Sequence, residues 1–121
     1  MNARKARLKR AAERARTQAA LDAMASATPQ LVGSHGGHDY FKVGDALVLV
    51  PVLLDRYPPE LKAAVDRRRR ASLTGSCDCG GGRRLDRKSR VVHTHENDCP
   101  AADDNLNAIA EQYGLAFDRV F

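Results

Sequence analysis

All three cysteines of this 121-residue chain fall between positions 77 and 99: a close pair, Cys77-Asp78-Cys79, and a single Cys99 with His95 four residues before it. Fifteen residues separate Cys79 from His95, and three separate His95 from Cys99. An odd number of thiols gathered in one window does not make a disulfide framework. Two local pairs of sulfur and nitrogen donors, joined by a short glycine-rich stretch, are instead the pattern of a structural metal site. Cys77, Cys79, His95 and Cys99 are therefore the expected ligands of one structural zinc ion. Two features leave the set open. One residue lies between Cys77 and Cys79, where structural zinc sites usually have two to four. His93 alternates with His95 along a strand and could replace or supplement it, although the three-residue gap from His95 to Cys99 closes the better local loop.

A metal staple suits the rest of the composition. The chain has no Trp, three Phe and three Tyr, so its core must be built from Leu, Val and Ala, and a domain of this size with a thin core is marginal on burial alone. The longest apolar run, 46–54, contains Pro51 and falls far short of the ~20 residues of a membrane helix. The charged start, with Arg4, Lys5, Arg7, Lys9 and Arg10, leads into no apolar segment of the kind a secretory signal carries. These features predict a cytoplasmic protein in a reducing compartment, where clustered cysteines serve as ligands.

The net charge of +5 hides a polarity along the chain. Residues 1–26 hold seven basic and two acidic side chains, for +5; residues 27–72 hold seven and five, for +2. Residues 73–92 hold five and two, for +3, and residues 93–121 hold one and six, for −5. Basic front and finger segments point to a polyanionic partner, and the acidic end points to solvent or a basic partner.

The segments predict an α+β fold: an N-terminal basic helix, a β-hairpin packed by a central helix, and a C-terminal zinc-binding module of ββα type. The implied organisation is a basic helical arm (1–27), a small hairpin-helix core (28–72) and the zinc module (73–121). Residues 3–27 lack Gly and Pro and are rich in Ala, Arg, Lys, Leu, Glu and Gln, all good helix formers. The weak apolar side of that helix predicts an arm that projects with its first half free. Pro29, Gly33, Ser34, Gly36 and Gly37 predict a loop over 28–39, with His35 and His38 as exposed loop residues. Residues 40–43 and 46–50 flank Gly44-Asp45 as a two-residue hairpin turn, and the nearly continuous apolar second strand is expected to be buried on both faces. Pro58-Pro59-Glu60 opens a helix with Leu61, Ala64 and Val65 facing inward. Arg67, Arg68, Arg69 and Arg70 close it, either as compensation of the helix dipole or as phosphate contacts.

Within the zinc module, residues 83–85 and 90–94 form short strands around Asp86-Arg87-Lys88-Ser89. Pro100 disfavours a helical Cys99, which predicts Cys99 as the N-cap of a helix running from Pro100 to Gly114. At such an end the helix dipole would favour the thiolate. Residues 115–121 are expected to return as a strand or to pack their aromatics on the module. Knuckle, hairpin, second ligand pair and helix, over residues 73–114, resemble zinc-ribbon and treble-clef modules. The Cys-x-Cys-Gly and His-Glu-Asn-Asp-Cys-Pro segments, in an Arg- and Ala-rich chain, also resemble small proteins of actinobacteria and their phages, a resemblance that implies no activity.

Catalytic patterns fail on their spacing. A zinc deaminase needs His-x-Glu followed by Pro-Cys-x-x-Cys, whereas Glu96 directly follows His95 and Pro100 follows Cys99. A His-Glu-x-x-His protease motif would need histidine where Cys99 stands. A His-Asn-His nuclease set would need a histidine after Asn97, and there is none. Four protein ligands would also leave no position for an activated water. The expected function is therefore non-catalytic: a nucleic-acid-associated accessory protein, binding DNA, RNA or a ribonucleoprotein electrostatically through Arg4, Lys5, Arg7, Arg10, Arg67, Arg68, Arg69, Arg70, Arg83, Arg84 and Arg87. The alternative is an adaptor that docks on a host or partner protein complex through its arm helix or its acidic C-terminal helix. Neither reading calls for a membrane or a small-molecule substrate.

Overall fold

The computed structural model describes residues 2–115. Among them, α1 spans Ala3–Ser26, and Gln30–His35 (β1), His38–Val43 (β2) and Ala46–Pro51 (β3) form an antiparallel sheet in the order β1-β2-β3. Pro59–Thr74 (α2) follows, then the hairpin of Gly82–Leu85 (β4) and Val91–Thr94 (β5), and Asp103–Gln112 (α3). The α+β class read from the sequence holds. The strand or aromatic packing expected of 115–121 lies outside the described residues, except that Leu115 packs against the core.

The central organiser is α2. Leu61, Ala64, Val65, Arg68 and Ala71 recur at helical spacing and are all buried. The first three meet Leu106 and Ala110 of α3, with Leu53, Tyr57 and Ile109 around them. Ala71, one turn further, meets Cys77, Cys99 and Ala101 in a second cluster. One helix thus spans both the apolar core and the thiols. It ends where Gly75 takes a φ of +85° and donates to the Ala71 carbonyl.

The sheet corrects two expectations. Residues 28–39 are not simply a loop, because Gln30–His35 pairs with β2 around the turn at Gly36-Gly37. Every residue of β1 is exposed, so no alternation of apolar and polar residues announces it; the strand rests on backbone pairing. The Gly44-Asp45 turn between β2 and β3 is as expected, with Gly44 at a φ of +61°. On β3, Val50 and Pro51 are buried whereas Leu47 is 60% exposed. As an edge strand covered on one face, β3 is not enclosed on both.

The sheet is tied to α2 by Arg69, whose guanidinium donates to Asp39 Oδ2 (2.7 Å) and to the Pro51 carbonyl (2.8 Å) and lies 5.7 Å over the Phe41 ring. Burial pushes the Asp39 carboxyl up, but the Ser34 hydroxyl and Arg69 outweigh it and hold the carboxyl below its usual range. Asp39→Asn is expected to cost about 1–3 kcal/mol at neutral pH, read from urea unfolding. A carboxyl whose folded pKa lies below its unfolded one stabilises the fold above the unfolded value and loses that contribution as pH falls through the folded value. Wild type and variant should therefore converge as the pH drops below 3.8.

Candidate metal centre

The four donors foreseen in the sequence meet at one point, where the end of α2, the β4–β5 hairpin and the approach to α3 come together. The Sγ atoms of Cys77, Cys79 and Cys99 and a ring nitrogen of His95 all lie within 4.8 Å of one another, and this group can hold a metal ion. Cys77 Sγ is 3.7 Å from Cys99 Sγ; His95 Nδ1 is 3.8 Å from Cys79 Sγ and 3.6 Å from Cys99 Sγ. A tetrahedron with Zn–S bonds of about 2.3 Å and Zn–N bonds of about 2.0–2.1 Å puts two sulfurs about 3.8 Å apart and a sulfur and a nitrogen about 3.6 Å apart. The three pairs Cys77–Cys99, Cys79–His95 and Cys99–His95 stand near those spacings, and every pair is within 4.8 Å.

Local backbone chemistry makes the short Cys77-Asp78-Cys79 spacing workable. Gly80 takes a φ of +96° and donates to the Cys77 carbonyl (2.9 Å), turning the chain back so that Cys77 N donates to the Gly81 carbonyl (2.9 Å). The Gly81 and Glu96 N–H groups then point at Cys79 Sγ, each at 3.4 Å. Close approach explains the glycine run further: a Cβ at Gly81 would lie 2.1 Å from the Thr94 carbonyl oxygen, and one at Gly82 2.4 Å from that of Gly75.

The second half of the site departs from the sequence reading. Cys99 is not a helix N-cap; α3 begins at Asp103 with Ala102 as its N-cap. The intervening residues form turns, in which Cys99 N donates to the Glu96 carbonyl and Ala102 N to the Cys99 carbonyl, each at 3.0 Å. Asn105, from the first turns of α3, clamps this segment by donating to the carbonyls of Asn97 (2.7 Å) and Cys99 (2.9 Å). Pro100 fits a turn as readily as a helix start, so the local sequence alone does not set where the helix begins.

The electrostatics sort the donors. Backbone N–H groups of Glu96 and Gly81 pull the Cys79 thiol toward its thiolate, whereas burial pushes the Cys99 thiol up. Burial, with Arg68 nearby, pulls the His95 pKa down and favours the neutral imidazole that ligates. His93 is outside the ligand group; its ring stacks on that of His95 at 5.0 Å, and burial lowers its pKa to about 4. An open groove of about 660 Å³ runs beside the two rings, lined by Glu96, Asn97, Asp103 and Asp104 among others.

The four consecutive arginines separate in space. Successive helical residues point about 100° apart, so each guanidinium meets a different neighbour. Arg67 lies on the side of the thiols; burial works against its charge, but Cys77, Cys99 and Asp78 outweigh it and tighten its hold on the proton. Arg68 turns inward to α3 and Arg69 to the sheet, while Arg70 pairs with Asp66 at 3.1 Å and lies 3.8 Å from Asp78. Arg83 is half-buried, donates to the Ser72 carbonyl (2.9 Å), and has its pKa pulled down by burial. Arg4, Lys5, Arg7, Arg10, Arg84 and Arg87 face solvent. The sequence reading missed Arg67 as a counter-charge to the thiols and Asn105 as the clamp on Cys99. Neither stands out in a sequence, since each acts through a partner several residues or a whole element away. No helix among the described residues is long and apolar enough to cross a membrane. No protein-family model, no curated protein and no solved structure matches this chain.

Proposed function

We propose that the protein is a small, non-catalytic zinc-binding protein that associates with nucleic acid through its basic surfaces, in a reducing, cytoplasmic compartment. The observation that carries the zinc assignment is the gathering of four protein donors within 4.8 Å of one another, three of the pairs at the 3.6–3.8 Å of a zinc tetrahedron's edges. Such a set is closed to water, so the ion would tether the hairpin to α2 and to the approach to α3 instead of activating a nucleophile. Three thiolates and a neutral imidazole around Zn²⁺ carry one net negative charge, and Arg67 beside Cys77 offsets it. The order of knuckle, hairpin, second ligand pair and helix supports a zinc-ribbon or treble-clef reading of the module.

Native mass spectrometry of freshly purified, reduced protein should find one zinc per chain; metal-free protein in its folded state would refute the assignment. Association with DNA, RNA or a ribonucleoprotein should weaken steeply with salt, because phosphate contacts release counterions. Affinity that does not fall with salt would sink the nucleic-acid reading. The adaptor reading keeps one observation in its favour: Leu31 and Val32 on the edge strand β1 are each 59% exposed. Partners that persist in a pull-down after nuclease treatment would favour it.

A further inference from the structure

The stripe of α1 that faces the body of the protein changes character along its length. Thr17, Leu21 and Met24, at three- and four-residue spacing, are the half-buried or buried positions of its second half. Continued toward the N-terminus, the same stripe carries Arg14 and then Arg10. What they face is the turn between β4 and β5. Arg14 Nη1 donates to the Asp86 carbonyl (2.7 Å) and to Ser89 Oγ (3.1 Å), joining residues more than seventy positions apart. Arg14 thus ties the middle of the arm to the finger, whereas residues 2–13 stay exposed apart from the half-buried Ala6.

The turn is built to hold its shape. Asp86 Oδ1 accepts from the backbone N–H groups of Lys88 and Arg90, and Oδ2 from Arg90 Nε, all at 2.9 Å. Ser89 takes a φ of +61°, which this clasp maintains. Arg87 and Lys88 are left exposed at the tip, opposite Arg10. Between helix and turn lies a cleft of about 400 Å³ lined by Arg10, Glu13, Arg14, Arg87 and Lys88, four cations against one carboxylate.

Holding like charges together is unfavourable unless an anion bridges them. The cationic stripe continues along α1 from Arg14 and Arg10 through Arg7 to Arg4, at three- and four-residue spacing, over about 15 Å of exposed helix at 1.5 Å per residue. A single small anion would use only the cleft, whereas a phosphodiester backbone, with one charge per ~1.7 Å of duplex axis, would use the whole row. Residues 3–16 of α1 and 82–94 of the hairpin, which carry this surface, contain no Phe, Tyr or Trp, so they offer no platform on which the bases of a single strand could stack. We infer that the cleft between α1 and the β4–β5 turn is a phosphate clamp for the backbone of a nucleic-acid duplex, formed by Arg10, Arg87 and Lys88 and positioned by Arg14. This rests on the nucleic-acid reading above and names where and in what form that partner binds.

The test is a fluorescence-anisotropy titration of zinc-loaded full-length protein with 24-base-pair DNA and RNA duplexes, and with the corresponding single strands, between 50 and 300 mM KCl. Two triple variants remove the same charge from exposed or half-exposed positions: Arg10→Ala/Arg87→Ala/Lys88→Ala in the cleft, and Lys42→Ala/Arg56→Ala/Lys62→Ala away from it. The cleft triple should weaken duplex binding more than tenfold at 50 mM salt and lower the slope of log K against log salt by about 2.7, at about 0.9 per phosphate contact. The distant triple should leave the slope within one contact of wild type. Equal losses in the two triples would overturn the clamp while leaving the nucleic-acid reading intact. Single strands bound more tightly than duplexes would overturn the duplex assignment. A wild-type protein with no salt-dependent binding to either duplex would overturn both the clamp and the reading it rests on.

Discussion

Cys99→Ser is expected to lose the bound zinc and to unfold more than about 10 °C below the wild type. Cys99 is 2% exposed and packs with Ala71, Cys77 and Ala101, so it is at once one of the four candidate donors and part of the core. A ligand present at a thousandfold its Kd stabilises the folded state by about 4 kcal/mol, and each kcal/mol moves the Tm of a domain this size by about 4 °C. Chelation should lower the wild-type Tm to the same degree and leave the variant unmoved. Asp78→Ser, an exposed change between two ligands, should keep its full zinc content. A Cys99→Ser protein that retains zinc and its melting temperature would show that the ligand set is wrong.

Arg68→Ala should cost about 3 kcal/mol by urea unfolding. The Arg68 side chain is 6% exposed and donates to the Ala101 carbonyl at 2.9 Å and to Asp103, strapping α2 to the start of α3. Ala101 is fully buried, so truncation strands its carbonyl, which alone accounts for about 1–3 kcal/mol, and removes the packed arginine stem. Asp103→Asn should cost less, because that carboxylate is 56% exposed and water can satisfy it. A loss under 0.5 kcal/mol for Arg68→Ala would contradict this account. Because the side chain is interior, the variant should leave the salt slope of duplex binding unchanged.

The contrast between these residues shows what a sequence makes legible. Cys77, Cys79, His95 and Cys99 could be read because ligand pairs close local loops whose span is fixed by backbone geometry. The Gly44-Asp45 turn and the proline start of α2 were legible on the same local grounds. The strand Gln30–His35 was hidden, since an exposed edge strand carries no period-two burial and is specified by its neighbour. The start of α3 was misread by three residues because Pro100 is compatible with both a turn and a helix. Arg67, Arg68, Arg69 and Arg70 looked like one basic patch and resolve into four separate contacts, because helical geometry sends each toward whatever element the fold brings there.

By itself, then, the sequence determined the secondary elements with local signals, the charge polarity of the chain and the identity of the four donors, all of which depend on residues a few positions apart. The tertiary structure alone decided which cations remain available. Burial and long-range hydrogen bonds draw Arg68, Arg69 and Arg83 inward, while the contact of Arg14 with the Asp86 turn brings Arg10, Arg87 and Lys88 to one cleft. Charge is a property of composition, but a charged surface depends on which side chains the packing leaves facing water.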